Sequence, residues 1–162
     1  MKHITFLLLG TNQGDRKKNL TFARNAIELS VGPILKASSL YQTAAWGKTD
    51  QPDFLNQALE VETLLSAENV LGELLRIEQS MGRQREEKWG ERIMDIDILF
   101  YENEIHNSPQ LTIPHPELPN RRFALGPLAE IAGDIIHPVL NLKIQEMLER
   151  CSDPLLVRRL NE

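Results

Sequence analysis

The chain has 162 residues, 41% hydrophobic and 25% charged, a composition ordinary for one globular domain spanning residues 1–162. With 23 acidic against 18 basic side chains the net charge is -5, which argues against general nucleic-acid affinity, because phosphate-tracking proteins need a basic excess. No apolar run approaches the roughly 18 to 20 residues that span a membrane, and the single cysteine, Cys151, permits no internal disulfide and suits a reducing cytoplasm.

The first expected strand covers residues 3–9; HITFLLLG is too short and lacks the small-residue cleavage site of a signal sequence. GTNQGD then supplies turn chemistry and a helix cap at Asp15, and the helix that follows carries Leu20, Ala23, Ala26 and Ile27 on one face, ending near Gly32-Pro33. Residues 34–43, ILKASSLYQT, read as a second strand. Residues 44–54 mix glycine, proline and aspartate with two aromatics, which is loop chemistry with unusually large apolar groups. LNQALEVET is a third strand, and Ser66 caps a helix whose Val70, Leu74, Ile77 and Met81 repeat at helical spacing.

GRQREEKWGER, residues 82–92, is charged, punctuated by glycine and long for an unstructured connection, as functional lids often are. MDIDILFY is the next strand, followed by a turn at Glu102-Asn103 and a short EIH strand. The three prolines of LTIPHPELPN are expected to hold an extended path, RRFALGPLAEIA to be helical with a break near Gly126-Pro127, and KIQEMLERC to form a last short helix. Several strand-to-strand links are too short for parallel crossovers, so the fold expected is α+β, with helices on a largely antiparallel sheet.

Asp95 and Asp97 stand where a buried strand would carry apolar residues. Alternation puts Met94, Ile96, Ile98 and Phe100 on one face and Asp95, Asp97, Leu99 and Tyr101 on the other, so both carboxylates point the same way, with Cα atoms about 6 to 7 Å apart. They could share one divalent ion or a close pair of ions; the plainer reading is a solvated outer strand face. Two basic clusters accompany them. Arg83, Arg85, Lys88 and Arg92 surround Trp89, and Arg121 with Arg122 follow His115. In an acidic chain such clusters suit a small anionic ligand better than a polymer. A carboxylate pair, arginines on a lid-like loop and unpartnered aromatics converge on phosphoryl transfer to a flat-ringed substrate. GTNQG lacks the lysine and serine or threonine of a Walker loop, and no pair of the four histidines has zinc-type spacing.

Four blocks in order, LGTNQGD, YQTAAWGKTDQPDFLN, IEQSMGRQREEKWGERIMDIDIL and IPHPELPNRRFALGPLAEIA, resemble the 6-hydroxymethyl-7,8-dihydropterin pyrophosphokinase family of folate biosynthesis. The resemblance implies a ferredoxin-like, three-layer α-β-α fold. It implies transfer of the terminal pyrophosphate of ATP to the hydroxymethyl group of a reduced pterin, releasing AMP. Asp95 and Asp97 would hold two magnesium ions, with Asp97 also the proton acceptor, and Arg83 and Arg92 would neutralise charge on the phosphates. The pterin would stack between Phe54 and Phe123, with Asn56 reading its amide edge, Thr43, Ala45 and Trp46 completing recognition and Trp89 closing over it. ATP contacts would come from Glu78, Arg85, Lys88, Arg92, Ile98, Thr112, His115 and Arg121. Neither nucleic acid nor membrane is expected as a partner, and a cytoplasmic monomer is.

This chain departs from the family pattern at Ala45 and Glu91, where prolines are common, at Lys88, where arginine is usual, and at Leu75, where some members carry a polar nucleotide contact. Two other classes stay open at this point. A nucleotidyl- or glycosyltransferase also uses spaced aspartates on a metal-bound nucleotide, and a ferredoxin-like scaffold domain could carry an acidic exposed strand.

Overall fold

The computed structural model describes residues 1–44, 52–82 and 93–160. Its first strand, β1 (His3–Thr11), is almost wholly buried, and Asp15 caps the helix after it, α1 (Arg16–Ser30), by accepting the Lys18 N–H at 3.1 Å. The expected second strand is two short ones, β2 (Ile34–Ala37) and β3 (Tyr41–Thr43). The break falls at Ser38, whose hydroxyl accepts the Ala58 N–H at 2.9 Å and so replaces a main-chain partner. Both pieces run antiparallel to β4 (Phe54–Thr63), and Ser66 then caps α2 (Ala67–Ser80) through the Asn69 N–H at 3.2 Å.

Among the described residues β5 (Asp95–Tyr101) pairs only with β1, at the sheet border. The resulting order is β5-β1-β4-β3, with β2 also on β4, and every pairing is antiparallel. Counting β2 and β3 as one interrupted strand, this is the 4-1-3-2 order of a β-α-β-β-α-β ferredoxin-like unit. After β6 (His106–Asn107) and β7 (Thr112–Ile113), which form a small hairpin, the proline segment does not stay extended. Its Ile113–Pro114 bond is cis, and Leu118–Asn120 coil into a 3-10 turn.

α3 (Arg122–Ala132) runs through Pro127 without a break. The proline removes one main-chain bond, at about 3 kcal/mol. Burial of Ala124, Leu125, Leu128 and Ala132 offsets that loss, and so does Glu130, which accepts hydrogen bonds from the Tyr41 hydroxyl at 2.7 Å and the Ser39 N–H at 3.1 Å. Burial, and then the bond to Glu130, push the Tyr41 hydroxyl well above the ordinary tyrosine range, keeping it a donor. α4 (Ile144–Arg150) follows, and a strand with no sequence signal, β8 (Val157–Arg159), pairs with β3.

The sheet separates two cores. On one face Leu7, Leu9, Leu59, Ile96 and Ile98 meet Leu20, Ala23 and Ile27 of α1 and Val70, Leu74 and Ile77 of α2. On the other, Phe6, Leu8, Leu99 and Phe100 meet Leu125 and Leu128 of α3 and Ile144 and Met147 of α4. The three-layer expectation therefore holds. Simple alternation along β5 does not: Phe6 pairs with Phe100 but Leu7 with Ile98, so Leu99 is an extra residue in a β-bulge. Beyond it Phe100 joins the α3 side and Tyr101 the α1–α2 side, the reverse of the expected faces. The unpaired Leu99 carbonyl accepts the His115 N–H at 3.1 Å.

Candidate functional site

The cross-strand register assembles the site. One row runs Asp95, Gly10, Asn56, Tyr41, and the next row toward the strand ends pairs Phe54 with Thr43 and Thr43 with Val157. Asp97 lies opposite Leu8, two residues further into the sheet. Because side chains alternate, all of these share the face that carries α3. α3 and α4 cover the part of that face containing Phe6, Phe100 and Tyr41, leaving a cleft of about 630 Å³ beside Gly10 and Asn56.

Gly10 forms part of the cleft floor for a steric reason. A Cβ there would lie 2.7 Å from Asn56 Oδ1, so the missing side chain is the space that the buried Asn56 amide occupies. Asn56 in turn donates to the Thr43 hydroxyl at 3.5 Å. Phe54 and Phe123 both line the cleft, Phe123 brought by the first turn of α3 with the Arg121 guanidinium 5.6 Å from its ring centre. His115 enters from the proline segment. Its Nδ1 accepts the Glu117 N–H at 3.1 Å, leaving Nε2 to carry the proton. Burial pushes the His115 pKa below the ordinary histidine value, overriding the opposing charge of Asp97, so the ring is neutral near pH 7.

A second, smaller cleft of about 210 Å³ lies against β5 and is lined by Leu71, Ile98, Thr112 and Pro116 among others. Asp97 and His115 line both clefts and are where the two meet.

The structure thus brings Thr43, Phe54, Asn56, Asp95, Asp97, His115, Arg121 and Phe123 to one cleft, and Ile98 and Thr112 to the adjoining one. Glu78 lines neither of these two clefts. Its buried carboxylate accepts the N–H of Ile96 at 2.7 Å, between the two aspartates. Ala45, Trp46, Arg83, Arg85, Lys88, Trp89, Glu91 and Arg92 lie outside the described residues. Leu8, Gly10, Ala44, Glu117, Asn120, Asp153 and Leu155 line the main cleft without having been expected to. Gly10 had a legible signal, a glycine inside an otherwise large apolar strand.

Among the described residues no three histidine, cysteine, aspartate or glutamate side chains converge as a metal cage. Two carboxylates on one strand face fit instead an ion that takes its remaining ligands from phosphate and water, the habit of magnesium.

Residues 6–133 match the model of the 7,8-dihydro-6-hydroxymethylpterin-pyrophosphokinase (HPPK) family. The 2-amino-4-hydroxy-6-hydroxymethyldihydropteridine pyrophosphokinase of Haemophilus influenzae is 40% identical over 154 residues, 94% of this chain and 96% of the relative. The enzyme of that name from Bacillus subtilis is 40% identical over 139 residues, 83% of this chain and 81% of the relative. Among solved structures, a triple-mutant Plasmodium falciparum HPPK-DHPS with pteroate superposes with a TM-score of 0.76 at 19% identity, over 93% of this chain and 43% of that one, a likeness of fold. With a family model across most of its length and a near full-length relative at this identity, the chain belongs to the 7,8-dihydro-6-hydroxymethylpterin pyrophosphokinase family.

Proposed function

We infer that the chain transfers pyrophosphate from ATP to the hydroxymethyl group of 6-hydroxymethyl-7,8-dihydropterin, giving the pterin diphosphate and AMP in folate biosynthesis. Family membership supports this, and the observation in the fold that carries it is the shared wall of the two clefts. A ring substrate and a nucleotide seated side by side would meet at Asp97 and His115, which is what a direct transfer between them needs. The antiparallel 4-1-3-2 sheet disfavours the doubly wound transferases that also use spaced aspartates, and a scaffold domain has no use for a cleft floored by Gly10 and Asn56.

In this reading the pterin stacks between Phe54 and Phe123 and presents its amide edge to Asn56 and Thr43, with Ala45, Trp46 and Trp89 around it. ATP lies across Ile98 and Thr112, its phosphates running over His115 toward Arg121. Glu78, Arg85, Lys88 and Arg92 belong to the nucleotide side, Glu78 through its grip on β5. The pterin hydroxyl oxygen attacks the β-phosphorus, the bond from that phosphorus to the AMP oxygen breaks, and Asp97 takes up the hydroxyl proton. Neutral His115 donates from Nε2 to a phosphate oxygen, and Arg83 and Arg92 stabilise charge on the departing side. Magnesium, two ions in this proposal, would be held by Asp95 and Asp97 and would neutralise phosphate oxygens. We propose further that the chain works as a single-domain cytoplasmic monomer; no helix among the described residues is long and apolar enough to cross a membrane.

The test is incubation of purified protein with magnesium, ATP and the hydroxymethyl pterin. Equal amounts of AMP and pterin diphosphate are expected; ADP with a pterin monophosphate, or no reaction when both substrates bind, would overturn the reading.

A further inference from the structure

The family match stops at residue 133, yet the cleft does not. Asp153 and Leu155, some twenty residues beyond it, line the same cleft as Phe54, Asn56 and Phe123. Their position follows from β8. Val157 pairs with Thr43, and the bend at Leu155 just before β8 brings that residue to the cleft beside β3.

The segment is held there by one carboxylate. Asp153 is 8% exposed; its Oδ2 accepts the Arg122 N–H at 3.0 Å and its Oδ1 accepts the Leu155 N–H at 3.0 Å. Arg122 is the first residue of α3, so the acid also caps the positive end of the helix that carries Phe123. The Arg122 guanidinium completes the clamp, donating to the Cys151 carbonyl at 2.8 Å and the Asp153 carbonyl at 3.2 Å. The two neighbouring arginines therefore divide their work. Arg121 faces the cleft over Phe123, while Arg122 is spent on the C-terminal segment.

We propose that Asp153 and Leu155 form a working wall of the ring-binding cleft: Leu155 is a specificity-determining contact for the pterin ring, and Asp153 a positioning residue that sets the spacing between Leu155 and Phe123. Both apolar walls hang from the same carboxylate, one through the start of α3 and the other through its own backbone N–H. An aliphatic group at that rim removes water from the ring without competing for the polar edge that Asn56 reads. The inference rests on the main cleft being the pterin site.

The experiment measures pterin affinity by fluorescence titration in the presence of a non-hydrolysable ATP analogue, and KM for each substrate. Leu155→Ala is expected to raise the pterin Kd and KM about tenfold while KM for ATP and kcat stay within about twofold. Leu156→Ala, one residue along but 81% exposed, should match wild type. Asp153→Ala should weaken pterin binding at least as much, and combining it with Leu155→Ala should add little, because both act through one wall. An unchanged pterin affinity in Leu155→Ala, or equal losses for pterin and ATP, would overturn the proposal even if Asp153→Ala fails to fold. If the wild-type protein binds no pterin and forms no AMP, the functional reading fails and this inference with it. If wild type turns over and Leu155→Ala does too with unaltered pterin KM, only the wall is refuted.

Discussion

The two faces of the sheet are built from the same strands and do opposite things. Toward α1 and α2, β1 presents Leu7 and Leu9 and β5 presents Ile96 and Ile98, an apolar surface packed against two long helices and open along the β5 border, where Ile96 and Ile98 also line the smaller cleft. Toward α3 and α4, the same stretches of β1 and β5 present Leu8 and Gly10, and Asp95 and Asp97. Because successive residues face opposite ways, one strand can meet a packing requirement and a chemical one without compromise between them. The packed face gives stability and the open face accepts charge, and each should be alterable with limited damage to the other.

Asp97→Ala breaks the open face. Loss of charge stabilisation worth several kcal/mol should lower kcat by about a thousandfold, while the thermal midpoint stays at or above that of wild type because two like charges are separated; steady-state assays and calorimetry report the two halves. Leu9→Ala attacks the packed face one residue from Gly10. A fully buried leucine truncated against two helices should cost about 3 kcal/mol in denaturant titration, with KM values of the folded enzyme within about twofold of wild type. If instead Leu9→Ala changed pterin KM as strongly as stability, the independence of the faces would be lost.

A smaller effect sharpens the contrast at a single atom. Gly10→Ala adds a Cβ 2.7 Å from Asn56 Oδ1, so the amide must move, and pterin KM should rise about tenfold with little change for ATP. The smallest effect concerns the α4 side of the open face, where His137 is buried with its Nδ1 accepting the Val139 and Leu140 N–H groups and its ring edge against Phe100. Burial lowers its pKa below the ordinary value near 6.5, so the folded state binds fewer protons than the unfolded one as pH falls. That stability is fully present above pH about 6.5 and is lost as pH falls through the lowered folded value. His137→Gln should flatten part of this slope in urea titrations at stepped pH. Some slope remains, because His115 is shifted in the same direction.

Much of this was legible in the chain. A short apolar run located β1, alternation located β4 and the shared direction of the aspartates, and the caps Asp15 and Ser66 located two helix starts, because local hydrogen bonding decides them. What failed was decided at a distance. Pro127 suggests a break until Glu130 and the buried face of α3 are in place, and the gap between β2 and β3 depends on where the Ser38 hydroxyl finds the Ala58 N–H. β8 is three residues with no periodicity, defined only by the exposed edge of β3. In the site, Asn56 and Phe123 came from resemblance, whereas residue pattern marked the acid pair, the two basic clusters, the second of them after His115, and the loop aromatics that include Phe54. Asp153 and Leu155 belong to no motif, and their place at the cleft is set by hydrogen bonds between residues some thirty positions apart.

The bulge at Leu99 has a consequence for how the chain can vary. A regular β5 without Leu99 would leave Ile98, Phe100 and Tyr101 each on its present face. The additional residue buries one more leucine in the α3–α4 core, and its carbonyl, outside the β1 ladder, anchors His115. It behaves as a splice between two parts of the chain, the border strand that carries the acid pair and the segment that carries His115. Insertions and deletions at this joint would retune that segment and leave the acid pair in register.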